Sequence, residues 1–189
     1  PRPVVFASLS SMGVGIEHLF TVQEILHLKD ILFHTTYDTD TGILYRISLE
    51  LLLLEVGVSS RISMLDYDQL SILASPSLVK STWKFLSEYQ VHLEHDLQIS
   101  CPHINDQPIM SVILLHKPSQ QELISVNWCR LFLHAYFISD ISDGFGTHIL
   151  EDAWLGRNIP SSHDATWPCQ GPPTRRDWKT WQKFLRLAV

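Results

Sequence analysis

Along this chain apolar residues recur at helical spacing far more often than they alternate. After the glycines Gly13 and Gly15, a turn signal, the residues Ile16, Leu19, Phe20, Ile25, Leu28 and Leu32 fall largely on one side of a 3.6-residue repeat and predict a first helix. A loop rich in capping residues (35–41) leads to 43–56, which is apolar nearly all round and stops at Gly57. Such a segment predicts a helix buried on every side. Signals over 58–74 are mixed. Ser75 followed by Pro76 predicts a helix start, carried onward by Leu78, Val79, Thr82, Phe85, Leu86 and Tyr89. Val91, Leu93, Leu97 and Ile99 interleave with His92, Glu94, Asp96 and Gln98, the period of a half-buried strand over 91–99. A lone strand is unstable, so it needs a partner from 136–141 or from the extended start at 4–9.

The second half is more sharply punctuated. A short helix over 106–116 is closed by Lys117-Pro118, and Ser119-Gln120-Gln121-Glu122 has the form of a capping box opening a longer helix. Leu123, Val126, Cys129, Arg130, Leu133 and Phe137 follow at helical spacing. A turn over 142–144 precedes a brief helix at Ala153, Trp154 and Leu155, stopped by Gly156, and a proline-rich loop runs over 160–173. Thr174 caps the last helix with Asp177 three residues on, and Trp178, Trp181, Phe184, Leu185 and Ala188 make one apolar face. The pattern predicts a mainly α fold, a bundle-like helical array with a minor β element. It also predicts a helical body over 1–156 and a proline-rich loop plus basic C-terminal helix over 157–189, packed on the same domain.

With 189 residues, 45% of them hydrophobic, the chain has material for a sizeable core, which excludes general disorder. Uninterrupted apolar runs are short, as at 51–54 between Glu50 and Glu55, against the roughly 20 residues a membrane-spanning helix requires. No membrane partner is expected. The start Pro1-Arg2-Pro3 has neither an initiator Met nor a secretory leader, so the chain reads as a fragment of a larger protein. Cys101, Cys129 and Cys169, an odd set at wide spacing, suit a reducing compartment and hence an intracellular location, cytoplasm or nucleus. A net charge of −6 disfavours indiscriminate nucleic-acid binding, yet from Gly156 onward Arg157, Arg175, Arg176, Lys179, Lys183 and Arg186 face only Asp164 and Asp177.

Candidate chemistry is sparse. His92, His95, Cys101 and His103 are metal-ligating types within a short stretch, but their spacing matches no zinc finger and a strand would point His92 and His95 to opposite faces. No metal and no cofactor is expected. Ser139, Asp140, Asp143 and His148 hold acid/base chemistry, although such residues in a turn are far more often caps. Gly144-Phe145-Gly146 is too short for a phosphate loop. Trp154, Trp167, Trp178 and Trp181 alternate with Arg157, Arg175, Arg176, Lys179 and Lys183, as on a surface that stacks on bases and neutralises phosphates. Trp178 and Trp181 share a face with Phe184 and Leu185, however, which favours core anchors, with Trp128 among them and the cations on the wet side.

An ordered series adds to this. Asn127-Trp128-Cys129-Arg130-Leu131-Phe132-Leu133, Ile138-Ser139-Asp140-Ile141, Gly146, Ile149, Ala153-Trp154, Gly156, Trp167-Pro168, Gln170, Pro172-Pro173, Trp178 and Trp181 together resemble a block downstream of the polymerase in retroelement reverse-transcriptase polyproteins. Upstream, Ser11-Met12-Gly13-Val14-Gly15-Ile16 with Leu19 and Gln23 is similar to the glycine-rich entry to the region after the polymerase in non-LTR-type elements. The resemblance spans about 12–185. It implies a thumb-distal or connection segment whose partners are other domains of a parent polyprotein and an RNA or DNA duplex. The paired aspartates that hold two divalent ions in such polymerases are absent: no Asp-Asp dipeptide occurs, and Asp38, Asp40, Asp66 and Asp68 are separated by other residues. A non-catalytic accessory segment is therefore expected, and the alternative is a helical protein-interaction module with no nucleic-acid role.

Overall fold

Local capping chemistry sets most helix boundaries in the computed structural model, which describes residues 15, 18–37, 39–93, 106–143, 147–157, 168 and 171–188. Eight α-helices occur among them: α1 (Leu19–Thr36), α2 (Asp40–Val56), α3 (Tyr67–Leu70), α4 (Leu78–Glu88), α5 (Ile109–Leu114), α6 (Gln120–Phe132), α7 (Glu151–Leu155) and α8 (Arg175–Ala188). The fold is mainly α, as the pattern predicts. The Thr39 hydroxyl accepts from the Gly42 N–H to open α2, and Gly57 closes it in the left-handed region at φ 80°. Ser119 and Glu122 form the predicted capping box of α6. The mixed stretch after α2 resolves into short pieces: single 3-10 turns at Ile62–Met64 and Ser71–Leu73 flank α3.

Several boundaries differ from the sequence expectation, each for a visible reason. The cap of α4 is Ser77, whose hydroxyl accepts from Lys80 N, whereas the Ser75 N–H donates to the Glu55 carboxylate at 2.8 Å. Helix α6 ends at Phe132 because the Ala135 N–H returns to the Arg130 carbonyl (3.1 Å) with His134 left-handed at φ 55°. Phe137 thus lies beyond the helix, in an isolated antiparallel bridge to Pro108. The expected strand is not found at 91–93, which form no regular element; 94–99 and the alternative partner 4–9 lie outside the described residues. The β-like content among the described residues is two isolated bridges, Pro108 with Phe137 and Ser142 with Ile149, and 138–140 is a 3-10 turn.

Helix α6 runs through the middle of the core. It packs on α8 and on the 3-10 turn at Ser71–Leu73, and its buried Leu123, Val126 and Cys129 belong to one apolar cluster with Val56, Trp83, Met110, Trp181 and Phe184. The α1–α2 hairpin sits against α4. Here the expectation of a fully buried α2 is overturned: Leu52, Leu53 and Val56 are buried, but Ile43, Leu44, Ile47 and Leu51 are exposed. The inward residues cluster in the last turns of α2, which alone meet the rest of the core.

The junction of α2 with α6 is made by Arg130, a side chain with 0% exposure. Its Nη2 donates to the Leu54 (2.6 Å) and Glu55 (3.2 Å) carbonyls in the last turn of α2, and its Nη1 to the Ala135 carbonyl (3.2 Å). Nε and Nη2 both reach the Asn127 Oδ1 at 3.0 and 2.8 Å, while Asn127 itself donates to the Glu55 carbonyl at 2.8 Å. Gly57 is required twice over, by its positive φ and because a Cβ there would lie 2.5 Å from Met110 Cγ and 2.8 Å from Arg130 Cζ. We expect Arg130→Met to cost about 3 kcal/mol or more, since several buried carbonyl oxygens lose their donors, and Gly57→Ala to cost at least about 1 kcal/mol. Urea unfolding midpoints of the two variants against the parent chain check both.

Candidate nucleic-acid interface

Helix α8 carries the candidate cations, and its own start is fixed by Asp177. The Thr174 N–H and hydroxyl donate to Asp177 Oδ2 at 2.9 and 2.6 Å, and Asp177 N–H returns to the Thr174 hydroxyl at 3.4 Å, as the sequence pattern predicts. The other carboxylate oxygen accepts from Ser125 of α6 at 2.6 Å. One side chain therefore both caps α8 and ties it to α6.

The tryptophans are anchors. Trp181 is fully buried, with its indole N–H on the Ala153 carbonyl at 2.9 Å, and the neighbouring Gln182 amide donates to the Trp154 carbonyl at 3.0 Å. These are last-turn carbonyls of α7. Trp178 lies flat against Gly156, where a Cβ would come within 2.5 Å of the indole. Trp128 donates to the Gly171 carbonyl at 3.0 Å, and Trp154 is half-buried beneath the Arg186 guanidinium, 5.2 Å from its ring centroid. Trp167 lies outside the described residues.

Of the proposed cations the fold brings four together. Positions 175, 176, 179 and 183 fall within about 100° of arc on a helix, opposite Trp181 and Phe184. Lys183 is engaged: its ammonium lies 2.5 Å from Glu122 Oε1 of α6 and over the Phe184 ring. Arg157 stands apart, after α7, 3.7 Å from Glu151 and 3.6 Å from Asp152. Arg175, Arg176 and Lys179 are exposed and join no ion pair among the described residues. The Glu122–Lys183 contact was invisible in the sequence, where Glu122 shows only as a capping residue and its partner lies 61 positions on.

The remaining candidates scatter. His92 is exposed, His95, Cys101 and His103 lie outside the described residues, and no group of three His, Cys, Asp or Glu capable of holding a metal occurs among the described ones. Ser139 donates to Asp106 (2.5 Å), Asp140 accepts from the Tyr136 and Phe137 N–H groups, and Asp143 accepts from Thr147 and His148 backbone N–H groups. Each of these polar residues closes a turn. Asp40 opens α2, Asp66 caps α3 and Asp68 sits in its first turn. Sequence reasoning missed one polar cluster: buried Glu24 of α1 accepts from Ser81 of α4 at 2.7 Å, with His27 Nδ1 3.7 Å from its other oxygen. No hydrogen bond joins His27 to Ser81 among the described residues, so the arrangement is no serine–histidine relay.

Electrostatics follow from these contacts. The Lys183 ammonium, then the Ser119 N–H and hydroxyl, hold the Glu122 carboxyl down to about 2. Burial pushes Asp177 up, but the Ser125 and Thr174 donors and nearby Arg176 outweigh it and leave the carboxyl below its ordinary value. Burial, reinforced by the Asp177 charge, raises the Cys129 thiol and makes it a poor nucleophile. For Arg130 burial lowers the value to about 10, against the opposing pull of Tyr136 and Asp140, so the guanidinium stays charged at neutral pH.

No helix among the described residues is long and apolar enough to cross a membrane. No protein-family model, no curated protein and no solved structure matches the chain.

A carboxylate whose pKa is depressed by folding contributes stability that is present above its unfolded value and is lost as pH falls through the folded one. Glu122 places that loss between about pH 4.5 and pH 2, and Asp177 loses its share as pH falls below the ordinary carboxylate range. Asp177→Asn is expected to cost about 1–2 kcal/mol at pH 7 and to flatten the acid limb, read from thermal unfolding at half-unit pH steps.

Proposed function

We propose that this chain is a non-catalytic, cofactor-free accessory segment of an intracellular retroelement reverse-transcriptase polyprotein, which packs beside the polymerase and steadies the template–primer duplex. One observation carries the reading. The positions in which the resemblance resides are largely those that hold the helices together: Asn127 and Arg130 on the end of α2, Trp128 on Gly171, Ala153 and Gly156 under Trp181 and Trp178. A likeness concentrated in such positions is a likeness of architecture, which is what an accessory segment transmits.

The duplex contact rests on Arg175, Arg176 and Lys179. Three exposed cations on one helical arc, none in an ion pair among the described residues, would meet successive phosphates, with Lys183 on the same arc shared with Glu122. Arg157, held between Glu151 and Asp152, has a weaker claim. A second reading has its own observation: the exposed apolar side chains of the α1–α2 hairpin suit a protein-docking module with no nucleic-acid role.

The test is binding of a labelled RNA–DNA hybrid duplex by fluorescence anisotropy across a salt series. We expect affinity to fall steeply with salt, and Arg175→Glu, Arg176→Glu and Lys179→Glu combined to lower the log–log slope by about 2 to 3. Binding that is absent, insensitive to salt, or unchanged by the triple charge reversal overturns the duplex role and leaves the docking reading.

A further inference from the structure

The α1–α2 hairpin is attached to the core at its base alone. On α1, contacts to α4 come from the first turns: Phe20 stacks edge-on with Phe85 at 6.2 Å, Thr21 Oγ1 lies 3.2 Å from the Tyr89 hydroxyl, and Glu24 accepts from Ser81. On α2, Leu52, Leu53 and Val56 are buried at the C-terminal end. Between these points the apolar residues Ile25, Leu26, Leu32 and Phe33 on α1, with Tyr37 just after it, and Ile43, Leu44, Ile47 and Leu51 on α2 are all at least two-fifths exposed. Their spacing is regular. Leu26 and Phe33, like Ile25 and Leu32, stand seven apart, and Ile43, Ile47 and Leu51 stand four apart. A helix so apolar on its outer positions is built to be covered.

We propose that a second copy of this chain covers it, giving a two-fold dimer in which two α1–α2 hairpins pair into an antiparallel four-helix bundle. The inference extends the docking reading and does not depend on the duplex contact. Charge disfavours a polyanionic occupant: among the described residues of the hairpin the exposed charges are Lys29 against Asp30, Asp40 and Glu50, and half-buried Arg46 and Glu55 together add no net charge, so the face is weakly negative. Chemistry favours self-pairing. Helix α1 and its end supply the exposed rings of Phe33 and Tyr37, while the exposed apolar side chains of α2, Ile43, Leu44, Ile47 and Leu51, are branched aliphatics, so a two-fold axis that sets α1 of one copy on α2 of the other meets rings with aliphatics at both places.

Area is sufficient. About ten large apolar side chains, each roughly half exposed, amount to roughly 300–600 Å² of apolar surface per copy on the usual transfer scale. A pair then covers roughly 600–1,200 Å² of apolar area, and interfaces are a little over half apolar, which corresponds to the ~1,200–2,000 Å² total of a stable dimer. In the resulting bundle each hairpin helix gains a further helical neighbour on its exposed side.

The experiment is light scattering coupled to size exclusion and sedimentation equilibrium on the 189-residue chain, over about 1–100 µM. The expected result is a dimer that dissociates on dilution and becomes a monomer on Ile47→Glu or Leu26→Glu, with far-ultraviolet circular dichroism and duplex binding unchanged, because both side chains are more than half exposed in the monomer. Leu44→Gln, a milder change at an exposed position, serves if either charged variant loses helical signal, and is expected to raise the dissociation constant at least about tenfold. A monomer throughout the range, or a dimer that survives all of these substitutions, overturns the proposal. Failure of duplex binding with the dimer intact overturns the duplex role instead.

Discussion

A guanidinium taken entirely out of water is costly unless its nitrogens find acceptors, and each of the three nitrogens of Arg130 does so with a neutral oxygen. Among the described residues its hydrogen-bond partners are three backbone carbonyls and the Asn127 amide oxygen. Two of the carbonyls belong to the last turn of α2, where unsatisfied oxygens and the helix dipole concentrate negative potential. The Tyr136 ring, 5.6 Å from Cζ, supplies a further electron-rich face. A planar fork is what this site needs, because a lysine ammonium would serve one direction and leave the others bare. Through the same side chain the end of α2, the last turn of α6 and the turn after α6 are held in one place. That turn also carries the Pro108 bridge and the start of α5, since Tyr136 accepts from the Ile109 N–H.

The same solution recurs at α7 with different residue types. A helix too short to stand alone ends in a left-handed glycine, Gly156, against which a flat side chain, Trp178, is laid, and its last carbonyls are taken by Trp181 and Gln182. At α2 the glycine is Gly57, the flat group is the Arg130 guanidinium and the carbonyls go to Arg130 and Asn127. Two long helices, α6 and α8, thereby act as clasps for the ends of two others. They are joined to each other by Ser125 with Asp177, by Lys183 with Glu122, and by the apolar seam that contains Trp181 and Phe184. Polar atoms fix the register of contacts whose bulk stabilisation comes from apolar burial.

What could be read in the sequence was whatever is decided within a few residues. The Ser119–Glu122 box, the Thr174–Asp177 cap and the stops at Gly57 and Gly156 all depend on short-range geometry and all appear where the pattern puts them. The misplaced boundaries have distant causes. Ser75 resembles a cap, but its N–H is claimed by Glu55, and Phe137 continues a helical spacing that the turn at His134 interrupts. Arg130 shows in the sequence only as one position of a helix, because its partners at Leu54 and Glu55 are more than 70 residues away. The basic candidates were legible in outline, yet that Lys183 is engaged by Glu122 and Arg157 by Glu151 and Asp152 is tertiary information.

The apolar character of α2 is the point at which periodicity and structure part company, and the reason lies in where the clasp acts. Arg130 and Asn127 hold the C-terminal end of the helix, so burial is strong there and falls off toward Asp40. The other end is kept in shape by local contacts: the His34 imidazole lies 2.9 Å from the Thr39 hydroxyl, which also accepts from Gly42 N, and Phe33 packs on Tyr37 at 4.8 Å. A hairpin stabilised at both ends but covered at only one keeps its helical geometry while presenting apolar side chains to solvent. A sequence uniform in hydrophobicity along 43–56 is then not a mistake of patterning. It matches a helix whose last turns are buried by α4 and α6 while its first turns keep apolar side chains at the surface.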